Sequence, residues 1–137
     1  MQTILLLLYF LLIFTSNRLR MHIEEIRDYC LNKKGTTEGL PFGDDTLVFK
    51  VMGKMFALAN LDGELRINLK NDPEKNMALR EEYTGIIPGY HMNKQHWNTI
   101  IADSVPAKLI LELIDESYQI IADSLPKNLQ NELNQIK

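Results

Sequence analysis

The sequence has few of the residues that indicate a particular chemistry. Its single cysteine, Cys30, excludes an internal disulfide and any zinc site built from cysteine pairs. It contains no G-x-S-x-G nucleophile elbow, and no glycine-rich phosphate loop opens a helix. It also lacks a basic excess, because 15 Lys and Arg face 18 Asp and Glu, for a net charge of −3. These absences argue against nucleophilic catalysis and phosphate cradling, and mildly against non-specific nucleic-acid binding.

The totals that remain are those of one ordinary globular domain. A chain of 137 residues with 45% hydrophobic and 24% charged residues can bury a single core. Cys30 lies in an apolar pattern of helical period, which predicts a small buried or half-buried thiol.

Residues 1–20 do not fit the domain that follows. The apolar run Ile4–Phe14 would rise about 16 Å as a helix, about half of a bilayer core. It has no basic residue before it and no small-x-small cleavage site after it. We interpret residues 1–20 as an upstream extension from a mis-assigned start codon, with Met21 as the initiator; an export or anchoring segment is the alternative. Residues 21–137 then carry 13 basic and 18 acidic side chains, a net charge of −5.

Hydrophobic periodicity predicts an α+β fold: a two-layer sandwich in which an antiparallel β-meander packs against N- and C-terminal helices. Alternation in Glu64–Lys70 places Leu65, Ile67 and Leu69 inward. The predicted helices are His22–Lys34, Asp72–Tyr83 and Ala107–Asp123, and the predicted strands are Thr46–Val51, Met55–Ala59, Glu64–Lys70, Ile86–Ile87 and Gln95–Ala102.

Two segments have no such periodicity. Thr36–Asp45 is rich in glycine and proline and predicts a loop, from which Leu40 and Phe42 fill one end of the core. Lys127–Lys137 predicts a polar, frayed tail after the domain, which we bound at 21–127. Since IIADSVP at 100–106 recurs as IIADSLP at 120–126, the second Pro can also open a short terminal helix.

The most unusual stretch is Pro88–Thr99, PGYHMNKQHWNT, which combines two histidines, a lysine, a tyrosine and the only tryptophan. His91 and His96 are five residues apart, a spacing that aligns them on neither a helix nor a strand, so no metal site is predicted. Basic side chains interleaved with aromatic ones can hold phosphates and pack against nucleotides. The candidate contact residues are Lys50, Lys54, Lys70, Tyr90, His91, Lys94, His96 and Trp97. The alternative is an ordinary solvated sheet face.

Six segments carry a resemblance that covers Met21–Lys127. They are GLPFG (39–43), VFKVMGKMFAL (48–58), LKNDPE (69–74), LREEY (79–83), PGYHMNKQHWNT (88–99) and SYQIIADSLPK (117–127). In these segments the chain resembles the MmcQ/YjbR family of small bacterial proteins. The resemblance implies a CyaY/frataxin-like sandwich and a double-wing DNA-binding module, whose contact surface is Lys50, Lys54 and Lys70 together with the loop Tyr90–Trp97.

We therefore expect a cytoplasmic, non-enzymatic protein that binds DNA without a cofactor and whose residues 21–137 form no stable association with membranes. A protein-interaction or ligand-sensing module that uses the same loop is the alternative, and the net acidity favours it. An iron-handling role follows only from analogy of fold.

Overall fold

The computed structural model describes residues 3–8 and 21–137. All six strands form one antiparallel sheet in the order β1-β2-β3-β4-β6-β5. Within residues 21–137, four helices and a 3-10 turn at Ala102–Ser104 accompany the sheet. The elements are α1 (Ile23–Leu31), β1 (Thr36–Gly39), β2 (Thr46–Val51), β3 (Lys54–Asn60), β4 (Arg66–Lys70), α2 (Pro73–Glu82), β5 (Ile86–Pro88), β6 (Trp97–Ile101), α3 (Ala107–Asp123) and α4 (Lys127–Gln135). The predicted α+β class is confirmed.

One face of the sheet is covered by helices. Long helix α3 packs against β2, β3 and β4, while α2 packs against β5 and β6 and α1 packs against β1. The main core lies between these layers and includes the completely buried side chains of Phe49, Phe56 and Ile114. The alternation predicted for β2 and β4 is confirmed, since Leu47, Phe49, Val51, Ile67 and Leu69 all belong to this core.

Within residues 21–137, no helix covers the other face of the sheet, which we call the open face. Because residues paired across antiparallel strands share a face, the register defines its members. Val48 pairs with Leu58, Leu58 with Asn68, and Asn68 with Thr99. The open face therefore comprises Thr37, Gly39, Thr46, Val48, Lys50, Met55, Leu58, Asn60, Arg66, Asn68, Lys70, Ile87, Trp97, Thr99 and Ile101.

A helix side chain completes the sheet where β3 and β4 separate. The register of β2 and β3 shifts between Phe49 and Lys50, and the pairing of β3 with β4 covers only Ala57–Ala59 on the β3 side. In the gap, the Lys70 amide donates to Ser117 Oγ at 2.9 Å, and this hydroxyl donates to the Phe56 carbonyl at 2.6 Å. Ser117 is completely buried, so one hydroxyl of α3 replaces a missing rung of the ladder.

Several predictions about the chain's less regular parts were wrong. Thr36–Gly39 is a strand paired with β2 rather than part of a loop. Leu40 and Phe42 do not fill the core, because their side chains are 47% and 61% exposed. The expected frayed tail is also wrong, since Lys127–Gln135 is helical and buries Leu133; the short terminal helix is confirmed.

The prediction for the leader falls mostly outside the described residues. Residues 3–8 form a short helical stretch whose side chains are exposed. Over the ranges 3–8 and 21–137, no helix has the length and apolar character needed to cross a bilayer.

Cys30 should be unreactive while the protein is folded. Its thiol is completely buried, and burial raises its pKa to about 12. Since the thiolate is the reactive form, we expect labelling at about pH 8 to be at least about a hundredfold slower in native protein than in denaturant. An absorbance assay with a disulfide reagent measures this, and equal rates in the two conditions would contradict it.

Candidate nucleic-acid interface

The loop between β5 and β6 folds back over the open face. The Tyr90 amide donates to Thr99 Oγ1 at 3.0 Å, and Thr99 Oγ1 donates to Asn68 Oδ1 at 2.6 Å. Asn68 Nδ2 donates in turn to the Tyr90 carbonyl at 3.4 Å. Asn68 and Thr99 are paired residues of β4 and β6. The first half of the loop is therefore fixed to the middle of the open face.

At the start of this loop the backbone passes close to Trp97 and then adopts an unusual conformation at His91. A Cβ on Gly89 would lie 2.8 Å from Trp97 Cβ and 2.9 Å from the Trp97 carbonyl oxygen. His91 adopts a φ of 59°, in the left-handed region. Asn93 then accepts hydrogen bonds from the amides of Gln95 and His96 through its Oδ1, at 2.9 and 3.2 Å. These features fix the backbone of a segment without regular secondary structure.

The second half of the loop is held from the helical side of the sheet by Arg80 of α2. Arg80 Nε donates to Asn98 Oδ1 at 2.6 Å. Its Nη2 donates to the Lys94 carbonyl and lies 3.5 Å from the Trp97 carbonyl. One guanidinium thus connects a helix to both the loop and the strand that follows it.

Three asparagines extend this contact into the core. Asn98 Nδ2 donates to the Asn76 carbonyl at 3.2 Å, and Asn76 Nδ2 donates to the carbonyls of Asn71 and Gln95 at 3.2 and 3.1 Å. The Asn71 amide donates to the His96 carbonyl at 3.0 Å. Since Asn71, Asn76 and Asn98 are all buried, these bonds satisfy polar groups that water cannot reach. The backbone of residues 94–98 is therefore rigidly positioned.

Trp97 does not project toward solvent. Its side chain is 8% exposed and packs with Val48 and Leu58 on the open face, with Met55 and Met92 half-buried beside it. We therefore treat Trp97 as the apolar support of the loop and not as a contact residue.

Six of the other seven predicted contact residues fall into two groups, one on the strands and one on the loop. Lys50 pairs with Met55 and Lys70 pairs with Trp97, so the two lysines flank the Trp97 cluster on strands about 10 Å apart. Tyr90, His91 and Lys94 are exposed on the loop, and His96 is half-buried. Lys54 lies apart from this group, because its Nζ donates to Ser124 Oγ at the end of α3, at 2.7 Å.

The charged residues of the strands are distributed unequally between the two faces of the sheet. Lys50, Arg66 and Lys70 lie on the open face, and no strand position of that face carries a carboxylate in the part of the chain described by the structure. Glu38 is the acidic strand residue, and it faces the helical side, where it pairs with Arg27 at 2.6 Å. The other carboxylates of residues 21–137 lie on helices and connecting loops. The acidity of the domain therefore does not extend across the open face.

A void of about 10 Å³ lies between Asn71, Asn76, Asn98 and apolar neighbours, enough for about one water molecule. Within residues 3–8 and 21–137, no three His, Cys, Asp or Glu side chains group in a way that could hold a metal ion.

The network around Arg80 was not predicted from the sequence. Helix α2 has few apolar residues, which predicted a surface helix with one short apolar patch of Met77, Ala78 and Leu79. The structure buries Leu79 together with Asn76, whereas Met77 is 59% exposed. The spacing of Asn76, Leu79 and Arg80 at i, i+3 and i+4 was the available signal, because it places these three on one helix face.

Comparison with known proteins identifies relatives along most of the chain. A family model described as YjbR matches residues 31–120. The uncharacterized protein YbdF of Escherichia coli O157:H7 is 41% identical over 92 residues, 66% of this chain and 75% of that protein. The uncharacterized protein YjbR of Escherichia coli K12 is 31% identical over 118 residues, 85% of this chain and 100% of that protein.

Solved structures agree with the sequence matches. A Deinococcus radiodurans protein with a DUF419 domain superposes with a TM-score of 0.78 at 37% identity, over 85% of this chain and 89% of that one. A Pseudomonas syringae crystal structure superposes with a TM-score of 0.65 at 32% identity, over 74% of this chain and 99% of that one. With a family model that covers most of the domain and relatives of similar sequence and fold, the chain belongs to the YjbR family.

Proposed function

We propose that the protein is a non-enzymatic DNA-binding module that uses the open face and the loop Tyr90–Trp97. The observation that carries the proposal is the charge of the open face: Lys50, Arg66 and Lys70 lie on its strands and Lys94 on its loop, whereas none of its described strand positions carries a carboxylate. In this proposal, β2–β3 and the β5–β6 hairpin correspond to the two wings of a double-wing module. A sheet face with this charge can meet a polyanion even though the whole domain is acidic.

The lysines of this surface are available for phosphate contacts. Among the described residues, neither Lys50, Lys70 nor Lys94 has an acidic side chain within salt-bridge distance. Arg66 differs, because its Nη2 lies 3.2 Å from Glu64 at the opposite end of β4 from Lys70. The favourable end of the face is therefore the one that carries Lys50, Lys70 and the loop.

Protein–DNA affinity of this type comes mainly from the release of condensed counterions. Its salt dependence gives the number of phosphates that are neutralised, and its loss on charge reversal identifies the lysines that contact them. The net acidity of the domain favours the alternative of a protein-interaction module, but it weighs less against DNA because no described strand position of the open face carries a carboxylate.

The test is a titration of the full chain against labelled mixed-sequence DNA at several salt concentrations, followed by fluorescence anisotropy. We expect log affinity to fall linearly with log salt, with a slope of about −0.9 per phosphate neutralised. Replacing Lys70 by glutamate should make the slope less steep by about 1 or more and weaken binding to every sequence alike.

Lys108→Glu is the matched control, because it makes the same charge change on α3, in the helical layer. An equal loss of affinity in the Lys70 and Lys108 variants would show an effect of net charge and would contradict a site on the open face. The absence of binding at low salt would remove the DNA-binding function.

A further inference from the structure

Tyr90 and His91 form an aromatic pair at the most exposed point of the loop. Their ring centroids lie 4.0 Å apart with an interplanar angle of 53°, and the Tyr90 side chain is 67% exposed. A tyrosine ring that is this exposed contributes little to the stability of the folded domain through burial. The backbone below it is nevertheless fixed, through the bonds of Tyr90 to Thr99 and Asn68. The pair is thus an exposed aromatic surface on a rigid base.

The loop that carries the pair is not free to enter a duplex groove. Readers of duplex sequence insert a helix or a two-stranded ribbon into the major groove. Here the helices lie on the other side of the sheet, and the β5–β6 loop is bonded back onto the open face. A duplex could meet this surface through its phosphates, but its bases are stacked on one another and offer no free face to the Tyr90 ring.

The half-buried side chains on this face add to the match with unstacked bases. Met55, Ile87 and Ile101 lie at strand positions of the open face, and Met92 lies in the loop above it. An apolar surface with lysines on either side is the arrangement by which proteins hold single strands: cations follow the backbone and aromatic rings stack on bases.

We propose that the open face prefers single-stranded nucleic acid and that one base stacks on the Tyr90–His91 pair, while phosphates contact Lys50, Lys70 and Lys94. The inference rests on the proposed DNA-binding function and specifies the form of its ligand. Stacking on an aromatic ring is tolerant of sequence, because every base presents a π face. Weak dependence on base sequence is therefore part of the proposal.

The experiment compares one labelled mixed-sequence oligonucleotide, as a single strand and annealed to its complement, with the full chain at a single low salt concentration. We expect the single strand to bind at least about tenfold more tightly. Tyr90→Ala should weaken single-strand binding at least about fivefold, and by a clearly larger factor than duplex binding. Tyr90→Phe keeps the ring and should retain the single-strand affinity, whereas Lys70→Gln should weaken both forms.

Duplex binding equal to or tighter than single-strand binding would overturn the inference and leave the proposed function intact. The same holds if Tyr90→Ala weakens both forms equally, since that would indicate a general contact and no stacking. If neither form binds, the inference and the proposed function both fail. Because the Tyr90 side chain is exposed, the variant should fold, and its circular dichroism spectrum checks this.

Discussion

Replacing Ser117 by alanine should lower the free energy of unfolding by about 2–6 kcal/mol. The Ser117 hydroxyl accepts from the Lys70 amide and donates to the Phe56 carbonyl, and alanine can do neither. Both backbone groups would then be left unpaired next to a completely buried position. An unsatisfied buried donor or acceptor costs about 1–3 kcal/mol, so the two losses together give the expected range.

Urea denaturation followed by circular dichroism measures this loss, with Ser104→Ala as the control. Ser104 is exposed and its hydroxyl donates to the Ile101 carbonyl, so its removal should cost less than about 1 kcal/mol. If Ser117→Ala costs no more than the control, the hydroxyl does not replace a rung between β3 and β4. Because the Lys70 amide donates to this hydroxyl, we also expect Ser117→Ala to weaken the proposed DNA binding.

The parts of the fold that could be predicted from sequence are those with a strong local signal. Strand β4 alternates cleanly, and α3 carries an apolar stripe of helical period, so side-chain pattern alone determines which face is buried. Strand β1 has no such pattern: Thr36–Gly39 is exposed over most of its length and contains a glycine. It is a strand because β2 offers it an unpaired edge, which is information outside the segment itself.

The stability of helix α4, which was expected to fray, was missed for a similar reason. Its two apolar residues, Leu129 and Leu133, are four apart, and the rest of the segment is polar. Leu133 packs closely against Gly35, since a Cβ added to Gly35 would lie 2.7 Å from Leu133 Cδ1. The helix is therefore stabilised by a contact with a turn about a hundred residues earlier, and such a partner cannot be read from local periodicity.

The composition of Pro88–Thr99 identified the loop, but composition does not show which side chains of the loop are buried and which are exposed. Trp97 begins β6 on the open face, where Val48 and Leu58 from other strands and Met92 from the loop bury it. Val48 and Leu58 are distant from Trp97 in sequence. Lys54 shows the same limitation, because the bulge between Phe49 and Lys50 changes the side on which the β2–β3 turn presents its lysine.

Replacing Arg80 by alanine should lower the free energy of unfolding by about 2–3 kcal/mol and release the loop. The guanidinium holds Asn98 Oδ1 and the Lys94 carbonyl, and hydrogen bonds from charged donors are worth about 1.5–3 kcal/mol. Arg80→Lys should recover little of this, because a single ammonium lacks the fork that spans both acceptors. Arg66→Ala is the matched control, since its exposed pair with Glu64 should contribute less than about 1 kcal/mol.

The single tryptophan reports whether Arg80 acts on the loop itself. Trp97 is 8% exposed beneath Met92, and its carbonyl lies 3.5 Å from Arg80 Nη2. Loss of the guanidinium should therefore let the loop open locally before the sheet unfolds, because segments with few anchoring contacts open at the lowest free energy. We expect red-shifted Trp97 emission in Arg80→Ala at temperatures where circular dichroism is unchanged, together with weaker DNA binding. Emission and ellipticity that change together would show that Arg80 stabilises the whole domain and does not position the loop.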